Sequence, residues 1–181
     1  TWIEADADAP GVVLRLDPGM AFGTGQHPTT RLCLAALDGR VGPATRVLDV
    51  GTGSGILAIG AALLGAPPPA ALDVDPKAVE TAVANAAVNG VAIAGHAGTL
   101  PELLADEATG PFDLVLANLL AGIVIGLAGD LAAATAPGGT LIASGILDEQ
   151  AADVSAALVD AGFAPPETLA DGDWVALIAR R

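Results

Sequence analysis

Short apolar runs alternate along the chain with longer segments in which apolar residues recur at helical spacing. The runs predict seven strands, at residues 47–50, 70–74, 91–95, 112–117, 140–144, 164–169 and 174–179, of which 91–95 is the weak one, and a short alternating strand candidate at 12–16. The segments between them predict helices at residues 31–37, 54–64, 76–89, 127–135 and 149–161. This alternation is typical of an α/β fold with a largely parallel sheet. The last two strands are joined by a turn at Asp171 and Gly172 without a helix, which predicts a hairpin and one antiparallel strand.

Local signals predict where several helices begin. Pro76 suits the first position of a helix, and Asp75 before it is typical of an N-cap. The first helix follows a glycine-rich loop over residues 17–30, and we expect Thr29 or Thr30 to cap it.

The most informative stretch is the glycine-rich segment after the strand at 47–50. It reads VLDVGTGSG, with Asp49 two residues before Gly51 and with Gly53 next in the series. A strand, a tight turn and a helix start of this kind hold a small ligand, but the spacing is GxGxG and not the GxGxxG of dinucleotide sites. A dinucleotide would place an anionic pyrophosphate on this turn, where Asp49 would repel it. The ammonium and sulfonium groups of S-adenosylmethionine suit Asp49 better.

Two polar residues at the ends of later strands are expected at the same edge of the sheet. Asp73 lies 22 residues after Gly51, close to the spacing at which a carboxylate binds ribose hydroxyls. Asp75 competes for this role, and helix capping by both acids is the alternative. Asn118 follows the strand at 112–117 and can accept a hydrogen bond from a nucleophile, or it can satisfy backbone groups in a turn.

The loop before the first helix reads FGTGQHPTT over residues 22–30. It lacks the GK[ST] of a phosphate-binding loop, and a lid with hydroxyl residues at a helix start is the better interpretation. His27 is then a proton acceptor or a hydrogen-bonding residue of the lid, with a purely structural role as the alternative. The two separated histidines and one cysteine have no metal-ligand spacing, so no metal is expected. No GxSxG motif supports hydrolase chemistry.

Composition and charge exclude several classes of function. At 181 residues the chain can form one domain with a substantial core. It is 52% apolar, yet its most apolar window, 114–129, is shorter than the about 20 residues of a membrane span. The net charge of −14 with seven Lys and Arg argues against direct nucleic-acid binding, and it favours a basic partner or serves solubility. The single Cys33 cannot form an internal disulfide, is expected to be buried in a helix, and fits a reducing cytoplasm.

Together these motifs resemble the ribosomal-protein methyltransferase family called PrmA. The resemblance runs from about Leu16 to the C-terminus through LDPGMAFGTGQHPTT, LDVGTGSGILAI, LDVDP and NLLAG followed by APGGTLIASGIL. The glycine turn is shared by all class I methyltransferases, whereas the FGTGxHPTT loop together with NLL is more specific. The resemblance implies a Rossmann-like class I S-adenosylmethionine-dependent methyltransferase domain over residues 1–181, with a seven-stranded, mostly parallel sheet. It also implies that the family's upstream substrate-recognition domain is absent from this chain.

The resemblance implies roles for individual residues. S-adenosylmethionine would contact Thr30, Gly51, Asp73 and Asn118, in addition to Asp49 and Gly53 of the glycine turn. Asn118 and the carbonyl of Leu119 would orient the substrate amine, and Phe22, Gly23 and His27 would belong to an active-site loop. Gln26 stands where the family commonly has threonine, and we expect little effect from this difference. The implied substrate is large-subunit ribosomal protein eleven, methylated on lysine and N-terminal amines.

Three alternatives remain open from the sequence. The chain could methylate lysines of another protein, such as an electron-transfer flavoprotein subunit. It could bind S-adenosylmethionine without catalysis. A nicotinamide-dependent oxidoreductase is a further alternative, against which Asp49 and the glycine spacing argue. The sequence does not determine the oligomeric state.

Overall fold

One mixed sheet organises the chain, and the computed structural model describes residues 13–16, 26–106 and 109–181. The strands are β1 (Val47–Val50), β2 (Ala70–Asp73), β3 (Ala94–Ala97), β4 (Phe112–Asn118), β5 (Thr135–Leu147), β6 (Glu167–Asp171) and β7 (Trp174–Arg180). They pair in the order β3-β2-β1-β4-β5-β7-β6, and in this described sheet β7 alone runs in the direction opposite to the other six strands. The predicted α/β class with one antiparallel strand is therefore confirmed.

Helices cover both faces of the sheet. They are α1 (Pro28–Leu37), α2 (Ile56–Leu63), α3 (Pro76–Val88), α4 (Leu100–Leu104), α5 (Ala121–Gly126), α6 (Ala128–Ala134) and α7 (Ala151–Asp160), with a 3₁₀ turn at Asp148–Gln150. One apolar cluster joins α1 and α2 to the sheet through Leu37 and Leu57, and another joins the sheet to α4, α5, α6 and α7. Successive side chains of a strand point to opposite faces, so Asp49 lies on the same face of β1 as Val47, under α1 and α2.

The first helix is capped by a different residue from the one expected. Its N-cap is His27, whose Nδ1 accepts a hydrogen bond from the Thr29 amide at 3.4 Å, and Pro28 occupies the first turn. Thr29 and Thr30 are both buried inside that turn. The prediction of a threonine cap is therefore wrong, because the fixed φ of Pro28 suits the first helical position and so moves the cap one residue earlier.

Residues 13–16, the described part of the strand candidate at 12–16, form no strand. The side chain of Asn89, just after α3, pairs with both backbone groups of Arg15. The Arg15 amide donates to Asn89 Oδ1 at 2.7 Å, and Asn89 Nδ2 donates to the Arg15 carbonyl at 2.6 Å. This side chain therefore occupies the hydrogen-bonding groups that a neighbouring strand would need, while Leu14 and Leu16 pack against the α1–α2 cluster.

The other differences concern element boundaries and two short helices. Strand β3 starts later than predicted because the Val91 amide donates to the Ala86 carbonyl and closes the end of α3. Strand β6 starts later because Pro165 and Pro166 precede it and have no N–H to donate. Helices α4 and α5 were not predicted, although the Thr99 and Glu102 side chains form a capping box at the start of α4.

The described residues bear on two further features considered in the sequence, membrane spans and the burial of Cys33. None of the helices among them is long and apolar enough to cross a membrane. Cys33 lies in α1 and is fully buried, as predicted. Burial raises the pKa of its thiol to about 12, so this cysteine is a packing residue and not a nucleophile.

The Asn89 contact gives a direct test of this arrangement. We expect Asn89→Ala to accelerate hydrogen exchange at the Arg15 amide and to cost about 1–2 kcal/mol in the free energy of unfolding, because two hydrogen bonds to the Arg15 backbone are lost. Glu80→Ala, on the exposed side of α3, is the control and should change neither quantity. Unchanged exchange at Arg15 in Asn89→Ala would contradict the anchoring role of this side chain.

Candidate active site at the strand ends

A cavity of about 630 Å³ opens at the carboxyl edge of β1 and β4, where open α/β sheets bind their ligands. Seven residues predicted from the sequence border it. They are His27 and Thr30 from the start of α1, Asp49, Gly51 and Gly53 from the first strand and its turn, and Asn118 and Leu119 from the end of β4. The fold thus brings together segments that are separated by up to about ninety residues of sequence.

Asp49 is the buried charge of this cavity, with 1% of its surface exposed. Its Oδ2 accepts hydrogen bonds from the Thr52 hydroxyl at 2.7 Å and from the Ala58 amide at 3.2 Å. Burial raises the pKa of Asp49 to about 6, against the lowering effect of these two hydrogen bonds, and the nearby Asp73 adds a smaller increase. A cationic ligand in the cavity would stabilise the ionised carboxylate, and an anionic one would oppose it.

The glycine turn depends on left-handed backbone conformations. Gly51, Gly53 and Gly55 have φ values of +72°, +53° and +84°, which glycine adopts at little cost. The amides of Gly51 and Thr52 both donate to the Leu72 carbonyl, at 2.8 and 2.9 Å, so the turn is fastened to the end of β2. At Gly55 a Cβ atom would lie 2.9 Å from the Cβ of Ala82 in α3, and this contact also requires glycine.

Asp73 ends β2 but does not border the cavity in this structure. Its Oδ2 accepts from the Gly53 amide at 3.0 Å, and its Oδ1 accepts from the Asp75 amide at 3.0 Å. Asp75 caps α3 by accepting from the Lys77 amide at 2.9 Å, as predicted from the proline that follows it. The sequence left open whether both acids cap the helix. In the structure Asp75 caps α3, whereas Asp73 supports the glycine turn.

Asn118 and Leu119 border the cavity at the end of β4, and Asn118 contacts the start of α1. Asn118 Nδ2 donates to Thr30 Oγ1 at 3.4 Å, which is long for a hydrogen bond. The Leu119 amide donates to the Ser144 carbonyl of β5 at 2.9 Å, so the chain after β4 is held against the sheet. These contacts leave the polar end of Asn118 beside the cavity, close enough to the glycine turn for a bound molecule to touch both.

Trp174 is a residue of this cavity that the sequence interpretation did not single out. Its ring meets the His27 ring edge-on, with the centroids 4.8 Å apart. A nearby ion pair between Arg31 and Asp171 also joins the start of α1 to the β6–β7 hairpin. The predicted hairpin with one antiparallel strand was the available signal, because the first residue of an antiparallel strand lies at the edge where the parallel strands end.

Some predicted site residues cannot be compared. Phe22 and Gly23 lie outside the described residues. Among the residues described, no group of three or more His, Cys, Asp or Glu side chains is arranged to hold a metal ion.

The strand order, the single antiparallel strand and a cavity over a glycine turn define the fold of the class I S-adenosylmethionine-dependent methyltransferases. A family model described as "Ribosomal protein L11 methyltransferase (PrmA)" matches residues 1–181, and the chain belongs to this family. The expectation from the motifs is confirmed.

Individual relatives show the same similarity. The chain is 51% identical over 181 residues to a ribosomal protein L11 methyltransferase of Geobacter sulfurreducens, covering 99% of this chain and 58% of that protein. A crystal structure of ribosomal protein L11 methylase from Lactobacillus delbrueckii subsp. bulgaricus aligns with a TM-score of 0.83 and 39% identity, over 96% of this chain and 90% of that one.

A more distant structure shows the fold alone. It is an RNA methyltransferase from Salinibacter ruber in complex with S-adenosyl-L-homocysteine, with a TM-score of 0.63 and 24% identity over 82% of this chain and 86% of that chain. The chain spans 57–62% of the length of the first curated relatives that it matches, which is less than two thirds.

The raised pKa of Asp49 predicts a measurable pH dependence of stability. The folded protein holds the Asp49 proton up to about pH 6, whereas the unfolded chain releases it near 3.8, so Asp49 contributes stability at low pH that is lost as the pH rises between these values. Asp49→Asn removes this loss. We expect the variant to gain about 2 kcal/mol over the wild type in unfolding free energy between pH 4 and pH 7.

Urea unfolding of the unliganded proteins at a series of pH values measures this difference. Asp113→Asn is the matched control for the loss of one carboxylate, because Asp113 is exposed at the opposite end of β4 and asparagine can still accept the hydrogen bond from the Arg46 amide. The raised pKa of Asp49 would be contradicted if the unfolding free energy of Asp49→Asn relative to the wild type stayed constant or fell as the pH rises.

Proposed function

We propose that this chain is the catalytic domain of an S-adenosylmethionine-dependent protein N-methyltransferase that methylates ribosomal protein L11. One observation carries the proposal. A single cavity has a buried carboxylate at its glycine turn and, at the end of the neighbouring strand β4, the Asn118 amide and the Leu119 backbone. Family membership and the names of the relatives supply the substrate.

The glycine-turn side of the cavity suits a cationic donor. Asp49 is nearly inaccessible to water, so the ammonium and sulfonium groups of S-adenosylmethionine would interact with it more strongly than they would in solution. Gly51 and Gly53 allow a ligand close to the backbone. Asp73 holds the turn by one carboxylate oxygen, and ribose hydroxyls could approach the remaining lone pairs of that group.

The part of the cavity at the end of β4 suits an acceptor amine. Methyl transfer is an in-line displacement in which the nitrogen lone pair forms a bond to the methyl carbon while the carbon–sulfur bond breaks. The electron pair of the broken bond stays on sulfur, which gives S-adenosylhomocysteine, and the methylated amine later releases a proton to solvent. The amine must be neutral to attack.

Supplying the neutral amine requires little from a base. Deprotonating a free lysine at pH 7 costs about 4.6 kcal/mol, and an N-terminal amine costs only about 1 kcal/mol. Trp174, Leu120 and Ile123 border the cavity, and Leu120 and Ile123 are exposed, so a lysine side chain that covered them would lose hydration and its pKa would fall. We therefore propose that the main task of the site residues is to align the amine with the methyl group. Uncharged hydrogen-bond acceptors can do this without stabilising the charged, unreactive form of the amine.

Asn118 and the carbonyl of Leu119 are the acceptors we assign to the amine. Both lie at the end of β4, which is fixed by its pairing with β1 and β5. Thr30, buried at the start of α1, contacts Asn118 and would share the cofactor. His27 caps α1 and touches Trp174, so we assign it to the wall of the acceptor site and not to proton transfer.

The charge of the chain fits the proposed partner. A net charge of −14 would attract a basic protein through long-range electrostatics and would repel nucleic acid. A ribosomal protein substrate supports a cytoplasmic location, and a single buried cysteine fits that compartment. In this proposal residues 1–181 form one catalytic domain.

We expect Asn118→Ala to keep the S-adenosylmethionine affinity of the wild type within a few fold and to lose most of its turnover, because the lost amide aligns the amine while the donor stays on the glycine turn. Calorimetry measures the affinity, and a methyl-transfer assay measures the turnover. Asp113→Ala, at the other end of the same strand, should change neither. Wild-type turnover in Asn118→Ala would remove this residue from the mechanism.

Mass spectrometry of ribosomal proteins incubated with this chain and S-adenosylmethionine tests the proposed substrate. We expect ribosomal protein L11 to gain mass in steps of one methyl group, at lysine side chains or the N-terminal amine. In a parallel reaction that contains an electron-transfer flavoprotein subunit in place of the ribosomal proteins, methylation of that subunit alone would favour the second candidate substrate. Donor binding without transfer to either protein would indicate a binding module.

A further inference from the structure

We propose that Gly145 is a positioning residue for methyl transfer, because the bulge that it forms in β5 seats the backbone of Leu119 at the acceptor side of the cavity. This inference rests on the proposed function, which gives the Leu119 carbonyl the task of orienting the amine. Gly145 itself borders the cavity but has no side chain with which to contact the reactants.

The bulge interrupts an otherwise regular strand. Strand β5 pairs with β7 up to Ala143, and the pairing resumes at Ile146 with a shifted register. Gly145 lies in this interruption with φ at +83°, a conformation that L side chains rarely adopt. A β-bulge changes the local direction of the residues in it, and here a Cβ atom built on Gly145 falls against the chain that follows β4.

The contact with Leu119 involves backbone on both sides. A Cβ atom built on Gly145 would lie 2.4 Å from the Leu119 carbonyl oxygen, 2.8 Å from its carbonyl carbon and 3.0 Å from its nitrogen. The Leu119 amide also donates to the Ser144 carbonyl at 2.9 Å. None of these atoms can rotate away as a flexible side chain would, so any side chain at position 145 must displace the Leu119 peptide.

A second left-handed glycine lies against the side chain of Leu119. A Cβ atom on Gly51 would lie 2.4 Å from Leu119 Cδ2. Leu119 is thus seated between the glycine turn that we assign to the cofactor and the bulge in β5. Its side chain can adjust to a change on the Gly51 side, but its carbonyl cannot adjust to a change on the Gly145 side. A change at Gly145 should therefore disturb the acceptor and spare the donor.

The matched test compares two alanine substitutions in the same strand. Gly145→Ala introduces both an unfavourable φ and the overlap with Leu119. Gly138→Ala introduces a similar φ, at +79°, and has no atom within 4 Å of the new Cβ. The difference between the two variants therefore isolates the contact with Leu119 from the general cost of a side chain at positive φ.

We expect Gly145→Ala to lower kcat for methylation of ribosomal protein L11 by about 10- to 100-fold relative to Gly138→Ala, since a displacement of about 1 Å can cost that much. The dissociation constant for S-adenosylmethionine should agree within about threefold between the two variants, as expected when only the acceptor side is disturbed. Equal kcat values in the two variants, or a loss of donor binding that matches the loss of kcat, would overturn the proposal.

A second measurement reports on the geometry without requiring activity. Hydrogen exchange at the Leu119 amide should accelerate in Gly145→Ala and stay at the wild-type rate in Gly138→Ala, because only the first change displaces the bond to the Ser144 carbonyl. Unchanged exchange in Gly145→Ala would overturn the seating role. If the wild type binds the donor but methylates nothing, the proposed function fails, and the exchange result still decides whether Gly145 seats Leu119.

A measurement on the wild type covers the case in which Gly145→Ala does not fold. With S-adenosylhomocysteine bound, a lysine peptide from ribosomal protein L11 is added to the ¹³C-labelled protein. The carbonyl resonance of Leu119 should move, and that of Gly138 should not. A Leu119 resonance that stays in place at saturating peptide would overturn the proposal.

Discussion

The buried carboxylate of Asp49 is the constraint on which the site depends. An ionised group with almost no access to water is costly unless it is hydrogen-bonded or paired with an opposite charge. The Thr52 hydroxyl and the Ala58 amide supply hydrogen bonds to one of its oxygens, yet burial still raises its pKa to about 6. Near neutral pH the chain therefore keeps a desolvated negative charge at the glycine turn, and a cation in the cavity would stabilise it.

The sheet brings the glycine turn and the end of β4 to one cavity, which gives the site a donor side and an acceptor side. Parallel strands end at the same edge, so the turn after β1 and the end of β4 face one cavity although they are distant in sequence. The start of α1 covers the cavity, held to the β6–β7 hairpin through Arg31 and His27. Two left-handed glycines, Gly51 and Gly145, set how closely Leu119 approaches each side.

Much of this arrangement was predictable from the sequence. The fold class follows from the alternation of apolar runs, and Asp49, the glycine turn and Asn118 follow from their positions at strand ends. Asp75 could be identified as a cap because a proline follows it. The start of β3 was harder to predict, because it depends on how α3 closes, whereas Pro165 and Pro166 were a local signal for the start of β6 that the prediction did not use.

The residues that were missed act through contacts distant in sequence. Trp174 reaches the cavity only because β7 is antiparallel, and Gly145 matters only because a bulge in β5 brings it against Leu119. The role of Asn89 depends on the backbone of Arg15, which lies 74 residues earlier. No local pattern of apolar and polar residues carries such information, since periodicity reports which face of an element is buried and not what lies against it.

The most direct test of the account is the number of protons exchanged when S-adenosylmethionine binds at pH 6. Titration calorimetry in buffers with different ionisation enthalpies measures this number. If the cationic donor lies beside Asp49, binding should ionise the protonated fraction of that carboxyl and release about half a proton per site, and Asp49→Asn should release none. Proton uptake, or the same release in the wild type and Asp49→Asn, would contradict the account.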